Sequence, residues 1–488
     1  MLLKGLKKDG LDWDKAPRKK GIGKKILLLG VLGFFIAGAI FVVPRLEWWA
    51  PTVEIRLDSQ YIGRRPFEIE IADRGTGLAR VAVSLTAGGK ELPIAAEEFP
   101  TPVATKKITV ALGSDKLGVP EGPAILQIRA SDRSYFRFLR SNETVVKKEV
   151  IIDATPPVVE VISDDRYVNF GGVGVLVYKA SKDSVSSGVQ IGNYFFPGYR
   201  GQLKNPDSYL VFFSHPYNVP AEEKASIVAS DAAGNVKKVR ISYELKGVKY
   251  KKSTLKIDDS FIEAKVAPLL GNGSAGQGDP KALFIKVNRE MRKDNEEKIL
   301  ALCKNSTGTI LWSGAFHQLS NSKVEANFAD ARTYVYNGEE IDHAYHLGYD
   351  LAVSKQTPIE VANSGVVVFA GEIGIYGNTV IVDHGLGIFT LYGHLSAIDV
   401  KAGDKLEKRQ VIGKTGETGL AAGDHLHYAT LLHGTPVLPV EWWDEKWIRD
   451  NVLPKLQEDG ESAQNAGESA PPRKSSPRAK SRRKVAKS

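Results

Sequence analysis

"GDHLHYATLL", residues 423–432, sets two histidines, His425 and His427, one residue apart near the end of the chain's foldable part. In an extended strand side chains alternate with period two, so both imidazoles leave one face and Leu426 the other. What the pair faces depends on the other histidines. The chain has nine, and seven of them fall between His343 and His433.

Two more motifs lie in that window. "HLGYDLA" (346–352) carries His346 and Asp350 four apart, and "LYGHLS" (391–396) carries His394. Gly348 and the β-branched runs that follow favour an extended segment, in which the i, i+4 spacing puts His346 and Asp350 on one face. Imidazole and carboxylate together suit zinc, because both bind it at ~2.0–2.2 Å and a catalytic site leaves one tetrahedral position to water. No HExxH is present, which excludes a helix-borne site of that type. His343 falls on the face opposite His346 and is left out of the metal set. His384 sits at the start of a hairpin and reads as a packing residue, while His215, His317 and His433 have no partner motif.

From about residue 325 to 447 the chain resembles the lysostaphin-type, LytM-like M23 metallopeptidases. The string that carries the resemblance is "HLGYDLA", then "TPIEVANSGVVVFAGEIGIYGNTVIVDHGLGIFTLYGHLS", then "VKAGDKLEKRQVIGKTGETGLAAGDHLHYATLLHG". The resemblance implies that His346, Asp350 and His427 bind one zinc ion and that His425 and His394 are the catalytic groups. It also implies peptidoglycan as substrate, with cleavage of amide bonds in peptide stems or cross-bridges. A non-enzymatic LytM-like envelope protein that binds wall or activates another hydrolase is the alternative. The run "VKAGDKLEKRQVIG" (400–413) also resembles a lipoyl or biotinyl carrier hairpin, but a carrier has no use for the His and Asp set.

The formal net charge of +9 lies at the ends of the chain. Residues 1–25 contribute +6 and residues 473–488 contribute +8, so the body is mildly acidic. A basic footprint confined to the ends argues against nucleic-acid binding. Cys303 is the single cysteine, which excludes an intramolecular disulfide and a Cys-based zinc cage. "ILLLGVLGFFIAGAIFVV" (26–43) is long enough to cross most of a ~30 Å hydrocarbon core. "RKKGIGKK" precedes it and Trp48 and Trp49 follow, so the positive-inside rule keeps the N-terminus cytoplasmic and exports the rest through a single-pass inner-membrane anchor. "AGA" at 37–39 offers a signal-cleavage alternative, against which the apolar run continues to Val43.

The expected fold is mainly β. Short alternating runs such as "FEIEIA" and "RVAVSL" suggest two Ig- or fibronectin-like β-sandwich modules, at 51–153 and 156–250. "ADRGTGLARVAV" (from Ala72) is echoed by "SKDSVSSGVQIG" (from Ser181), and "IRASDRS" near Asp132 by "IVASDAAGN" near Asp231. Residues 251–324 read as linker and helical connector, with Asp279 capping a helix that opens at Pro280 and no chemistry of its own. The peptidase-like part, 325–455, is expected as an antiparallel barrel-sandwich-hybrid-like domain, and "NSKVEANFADARTYVYNG" (321–338) as a loop able to lie across the zinc. Residues 456–488 read as a disordered basic tail, with anionic envelope polymers as possible partners.

Overall fold

The computed structural model describes residues 22–112, 120–135, 140–247, 250–271 and 278–457. Most of the N-terminal segment expected in the cytoplasm, and nearly all of the stretch expected as a basic tail, therefore lie outside the described residues. A helix spans Ile22–Val42 and ends in a 3-10 turn with Pro44 inside it. The helix is long and apolar enough to cross a membrane, and its described side chains are exposed all round. The remainder is mainly β and divides into two compact units. One comprises residues up to Thr155 with Ala232–Asn235, and the other Pro156–Asp231 with the chain from Val236 onward.

In the first unit strands Thr52–Arg56, Phe67–Ala72 and Thr105–Val110 form one antiparallel sheet. A five-stranded sheet holds Leu78–Ala87 between Lys90–Val103 and Gly122–Asp132, which pairs in turn with Glu143–Ile152. Phe67, Ile69 and Ile71 alternate with Glu68 and Glu70, so one face is apolar and turns inward. They share a core with Val81, Val83, Leu85, Leu126 and Ile128 of the other sheet. Burying each such side chain is worth ~1.5–3 kcal/mol.

In the second unit the stretch from Pro156 forms two four-stranded sheets, but its core is not closed on itself. Strands Val173–Ala180 and Ser208–Ser214 are buried on both faces. The reason lies at the far end of the chain, where Trp442 packs against Phe212 at 5.8 Å between ring centroids and against Trp312 and Phe316 at 5.8 and 5.4 Å. Glu441 beside it accepts from the Val173 backbone N–H (2.8 Å) and from Asn169 Nδ2 (2.7 Å). The sequence suggests a freestanding second module; in the structure its strands and the C-terminal domain bury one apolar core together.

The C-terminal sheet has eight strands. Along its path run Lys323–Ala326, Tyr349–Ala352, Leu426–Leu432, Ile388–Gly393, Gly377–Asp383, Gly365–Ile373 and Lys405–Leu406, with Thr435–Val437 also pairing Leu426–Leu432. A smaller sheet joins Pro358–Glu360, Val411–Lys414 and Ala397–Ile398. A third joins Lys252–Ile257, parallel, to the hairpin Asp330–Tyr336 and Glu339–His346. Helical turns from Pro280 to Leu302 lie between these strands in sequence, opened by Asp279, whose side chain accepts from the Lys281 N–H.

Candidate metal centre and active-site cleft

His346 and Asp350 are not on one strand. His346 closes the Glu339–His346 strand, Asp350 sits in Tyr349–Ala352, and Leu347 and Gly348 turn the corner between two sheets. The corner requires glycine: a Cβ on residue 348 would lie 2.6 Å from the Tyr428 carbonyl oxygen and 2.7 Å from the His427 ring. Register does the rest, because Asp350 pairs directly with His427 on the neighbouring strand.

Three donor atoms thus converge. His346 Nε2 lies 2.9 Å from Asp350 Oδ1 and 3.1 Å from His427 Nδ1, and His427 Nδ1 lies 3.1 Å from Asp350 Oδ1. His346 Nδ1 donates to the Asn327 carbonyl oxygen at 3.0 Å, so its Nε2 presents a lone pair rather than a proton. A single proton cannot satisfy three mutually facing acceptors, whereas a cation does. Ligands on a tetrahedron with ~2.0–2.1 Å bonds stand ~3.3 Å apart, so the spacing and the N, N, O donor set both fit zinc. Burial alone would raise the Asp350 carboxyl, but the surrounding imidazoles outweigh it and hold the group well below the usual carboxylate range.

The other two histidines reach the same cleft by different backbone routes. Strand Ile388–Gly393 ends before His394, whose φ of 67° lies in the left-handed region. The strand has already turned at His394, so His394 does not share the face of Tyr392, which points into the core. A left-handed non-glycine backbone costs ~1–3 kcal/mol, and here the His394 N–H donates to the Tyr376 carbonyl (2.8 Å) while ring Nδ1 donates to the Thr418 carbonyl (2.8 Å). His425 precedes its strand and bridges to Gly416; its Nδ1 donates to the Gly423 carbonyl (2.8 Å) and its Nε2 stands 3.4 Å from Asp350 Oδ1. The His394 and His425 rings are 4.8 Å apart. Burial, with His425 and His427 nearby, lowers His394 to about 3. Burial also pulls His425 down, but Asp350 more than offsets it and the net shift is upward.

These five residues line a cleft of about 860 Å³. One wall comes from the stretch read as linker and connector: Leu255, Phe261 and Lys265 line the cleft, and Lys265 Nζ donates to the Glu417 carbonyl at 3.1 Å. The stretch 321–338, expected as a loop across the metal, instead forms strands Lys323–Ala326 and Asp330–Tyr336, because each finds a pairing partner in a sheet. From it comes a residue that sequence reasoning missed. Arg332 donates to Asp350 Oδ2 at 3.1 Å and faces Asp330, which Ser253 Oγ holds at 2.8 and 2.9 Å. The alternation along "DARTY" gave the only signal, placing Asp330 and Arg332 on one strand face.

His343 is exposed and pairs with Glu340 (2.8 Å). His384 is buried, its Nδ1 donating to the Ser364 carbonyl (2.8 Å) and its Nε2 hydrogen-bonded to Thr390 Oγ1 (2.7 Å). Neither lines the cleft.

The sequence matches peptidase family M23 over residues 344–439, the span that holds all five cleft residues. Residues 344–439 are an M23 domain. Over 95 residues the M23 domain is 43% identical to DD-carboxypeptidase/endopeptidase Mpg of Neisseria meningitidis serogroup B, covering 20% of this chain and 22% of that one. Over 94 residues it is 43% identical to peptidoglycan DD-endopeptidase ShyA of Vibrio cholerae, covering 19% and 22%. The matched stretch thus spans about a fifth of each relative's length. Among solved structures, the catalytic domain of the antimicrobial peptidase lysostaphin from Staphylococcus simulans aligns with a TM-score of 0.23 and 27% identity, over 27% of this chain and 98% of that one.

Proposed function

We propose that the protein is a zinc-dependent endopeptidase that hydrolyses amide bonds in peptidoglycan stems or cross-bridges. The observation that carries the reading is the convergence of three lone-pair donors at 2.9–3.1 Å beside two further imidazoles in one cleft. His346, Asp350 and His427 would hold the metal. Bound there, zinc supplies Lewis-acid chemistry, polarising a carbonyl and lowering the pKa of a water to ~7.

The chain's own residues divide the remaining work. His425 and His394 both have Nδ1 committed to a backbone carbonyl, so each offers Nε2 as a proton acceptor. His394, held neutral by burial, orients the attacking water by accepting its hydrogen bond. His425, whose affinity for a proton is raised by Asp350, takes the proton and returns it to the leaving amine. Arg332 fixes the free oxygen of Asp350, so that the other oxygen faces the metal. ShyA is named a peptidoglycan DD-endopeptidase, and the substrate assignment is transferred from it to this chain.

In this reading the Ile22–Val42 helix anchors the chain in the inner membrane and the M23 domain is exported. Residues 51–153 and 156–250 act as β-sandwich modules, and the basic tail meets anionic envelope polymers. The test incubates purified wall with the full-length protein in detergent, with and without a zinc chelator, and identifies released muropeptides by mass spectrometry. Release that stops with the chelator and returns with zinc is expected. No release, together with stimulation of a separate wall hydrolase, would replace the enzyme with a non-enzymatic activator.

A further inference from the structure

The first unit holds a second set of converging donors, and it contains no histidine. One carboxylate oxygen from each of Glu47, Asp73 and Asp132 lies within 4.8 Å of the other two. All three side chains are buried, with relative exposures of 8, 6 and 1%. They come from three places in the chain: the segment after the apolar helix, the turn that follows strand Phe67–Ala72, and the end of strand Gly122–Asp132.

Backbone amides hold the group in position. Asp132 Oδ1 accepts from the N–H groups of Ser134 (3.0 Å) and Asn142 (2.8 Å), and Oδ2 accepts from Asn142 Nδ2 (2.8 Å). Glu47 Oε2 accepts from the Thr76 N–H (2.6 Å), and Asp73 Oδ2 from those of Gly75 (3.2 Å) and Gly77 (2.6 Å). The other oxygen of Asp73, Oδ1, has no hydrogen-bond partner among the described residues, although the side chain is more than nine-tenths buried. A buried carboxylate with an unmet oxygen and two acids beside it is costly unless a cation joins it.

The donors say which cation. An all-oxygen set of carboxylates selects a hard ion, and calcium binds oxygen at ~2.3–2.6 Å, so that ligands on opposite sides of the ion stand ~4.6–5.2 Å apart. We propose that Glu47, Asp73 and Asp132 form a calcium site. It fastens the segment that follows the apolar helix to the turn at Asp73–Gly77 and to Asp132 with its partners Ser134 and Asn142, stiffening the start of the first β unit.

The test uses full-length protein in detergent, freed of divalent ions on a chelating resin and reloaded with stoichiometric zinc. Bound calcium is counted by equilibrium dialysis, and unfolding temperature is followed with calcium or magnesium added. Wild type is expected to bind calcium and to gain unfolding temperature from it more than from magnesium. Asp73→Asn is expected to bind one equivalent fewer and to lose that gain. Equal calcium binding by the two proteins, or none by wild type, overturns the site. Should the variant fold poorly, hydrogen exchange of wild type decides: calcium should slow exchange in peptides covering 73–77 and 132–142, and unchanged exchange in both rejects the proposal.

Discussion

The four histidines of the cleft and Asp350 fall into two groups that differ in where their ring and carboxylate atoms turn. His346, Asp350 and His427 turn donor atoms toward one another, within 3.1 Å. His394 and His425 spend one ring nitrogen each on a backbone carbonyl and keep the other for the cleft. Proximity alone does not separate the groups, since the His394 and His425 rings are as close as those of His346 and His427, at 4.8 and 4.9 Å. His346 anchors its Nδ1–H on a backbone carbonyl as well, so what separates the groups is the other ring nitrogen: lone pairs facing one another suit a cation, whereas a ring nitrogen outside that trio suits a mobile proton. That contrast is what the proposed division of roles rests on.

The largest effect should follow loss of a donor from the first group. Asp350→Ala or His346→Ala is expected to abolish both stoichiometric zinc, read by atomic absorption, and muropeptide release. Retained zinc in either would show that the three atoms do not act together. A smaller loss is expected in the second group: His394→Ala should keep zinc and lower kcat by ~10²–10⁴, the usual contribution of a positioned proton-transfer group.

Arg332→Gln probes the first group from outside. Supports of metal ligands typically contribute 10- to 100-fold, so zinc affinity or activity should fall by about that factor, with the pH profile set by His425 intact. A change in the pH profile without weaker zinc binding would move Arg332 to the proton-handling side.

Glu441→Gln should leave turnover unchanged, because Glu441 lies in neither group. Burial lifts its carboxyl from 4.5 to about 7. Between those values the folded protein keeps a proton that the unfolded chain has released, so its contribution to stability is complete below about pH 4.5 and is lost as pH rises through 7. The Gln variant should flatten that part of the stability curve of the second unit. A slope unchanged in urea titrations at pH 5 and pH 7.5 would assign it to another group.

The candidate donors stood out because each motif keeps its residues close in sequence, and the strand period set His425 and His427 toward one side; choosing His346, Asp350 and His427 as one set came from the family resemblance. What period two could not show was the corner at Leu347–Gly348 or the left-handed turn at His394, since a break between strands leaves no periodic trace. Arg332 was hidden for a related reason: it reaches Asp350 from a hairpin whose pairing is long-range, and no motif marks it. The mainly β character was readable from alternation in runs such as "FEIEIA". The shared core of the second unit left a fainter sign in the unbroken apolar run "SYLVFFS", which is buried on both faces. Its partner, Trp442, lies more than two hundred residues downstream, beyond the reach of local pattern.

The central claim is that neighbouring histidines on "HLH" do different work. It is tested most directly by measuring zinc content and muropeptide release side by side in His427→Ala and His425→Ala. The account predicts that His427→Ala loses zinc together with activity, while His425→Ala keeps its zinc and loses turnover. Equal loss of zinc in the two variants would contradict it.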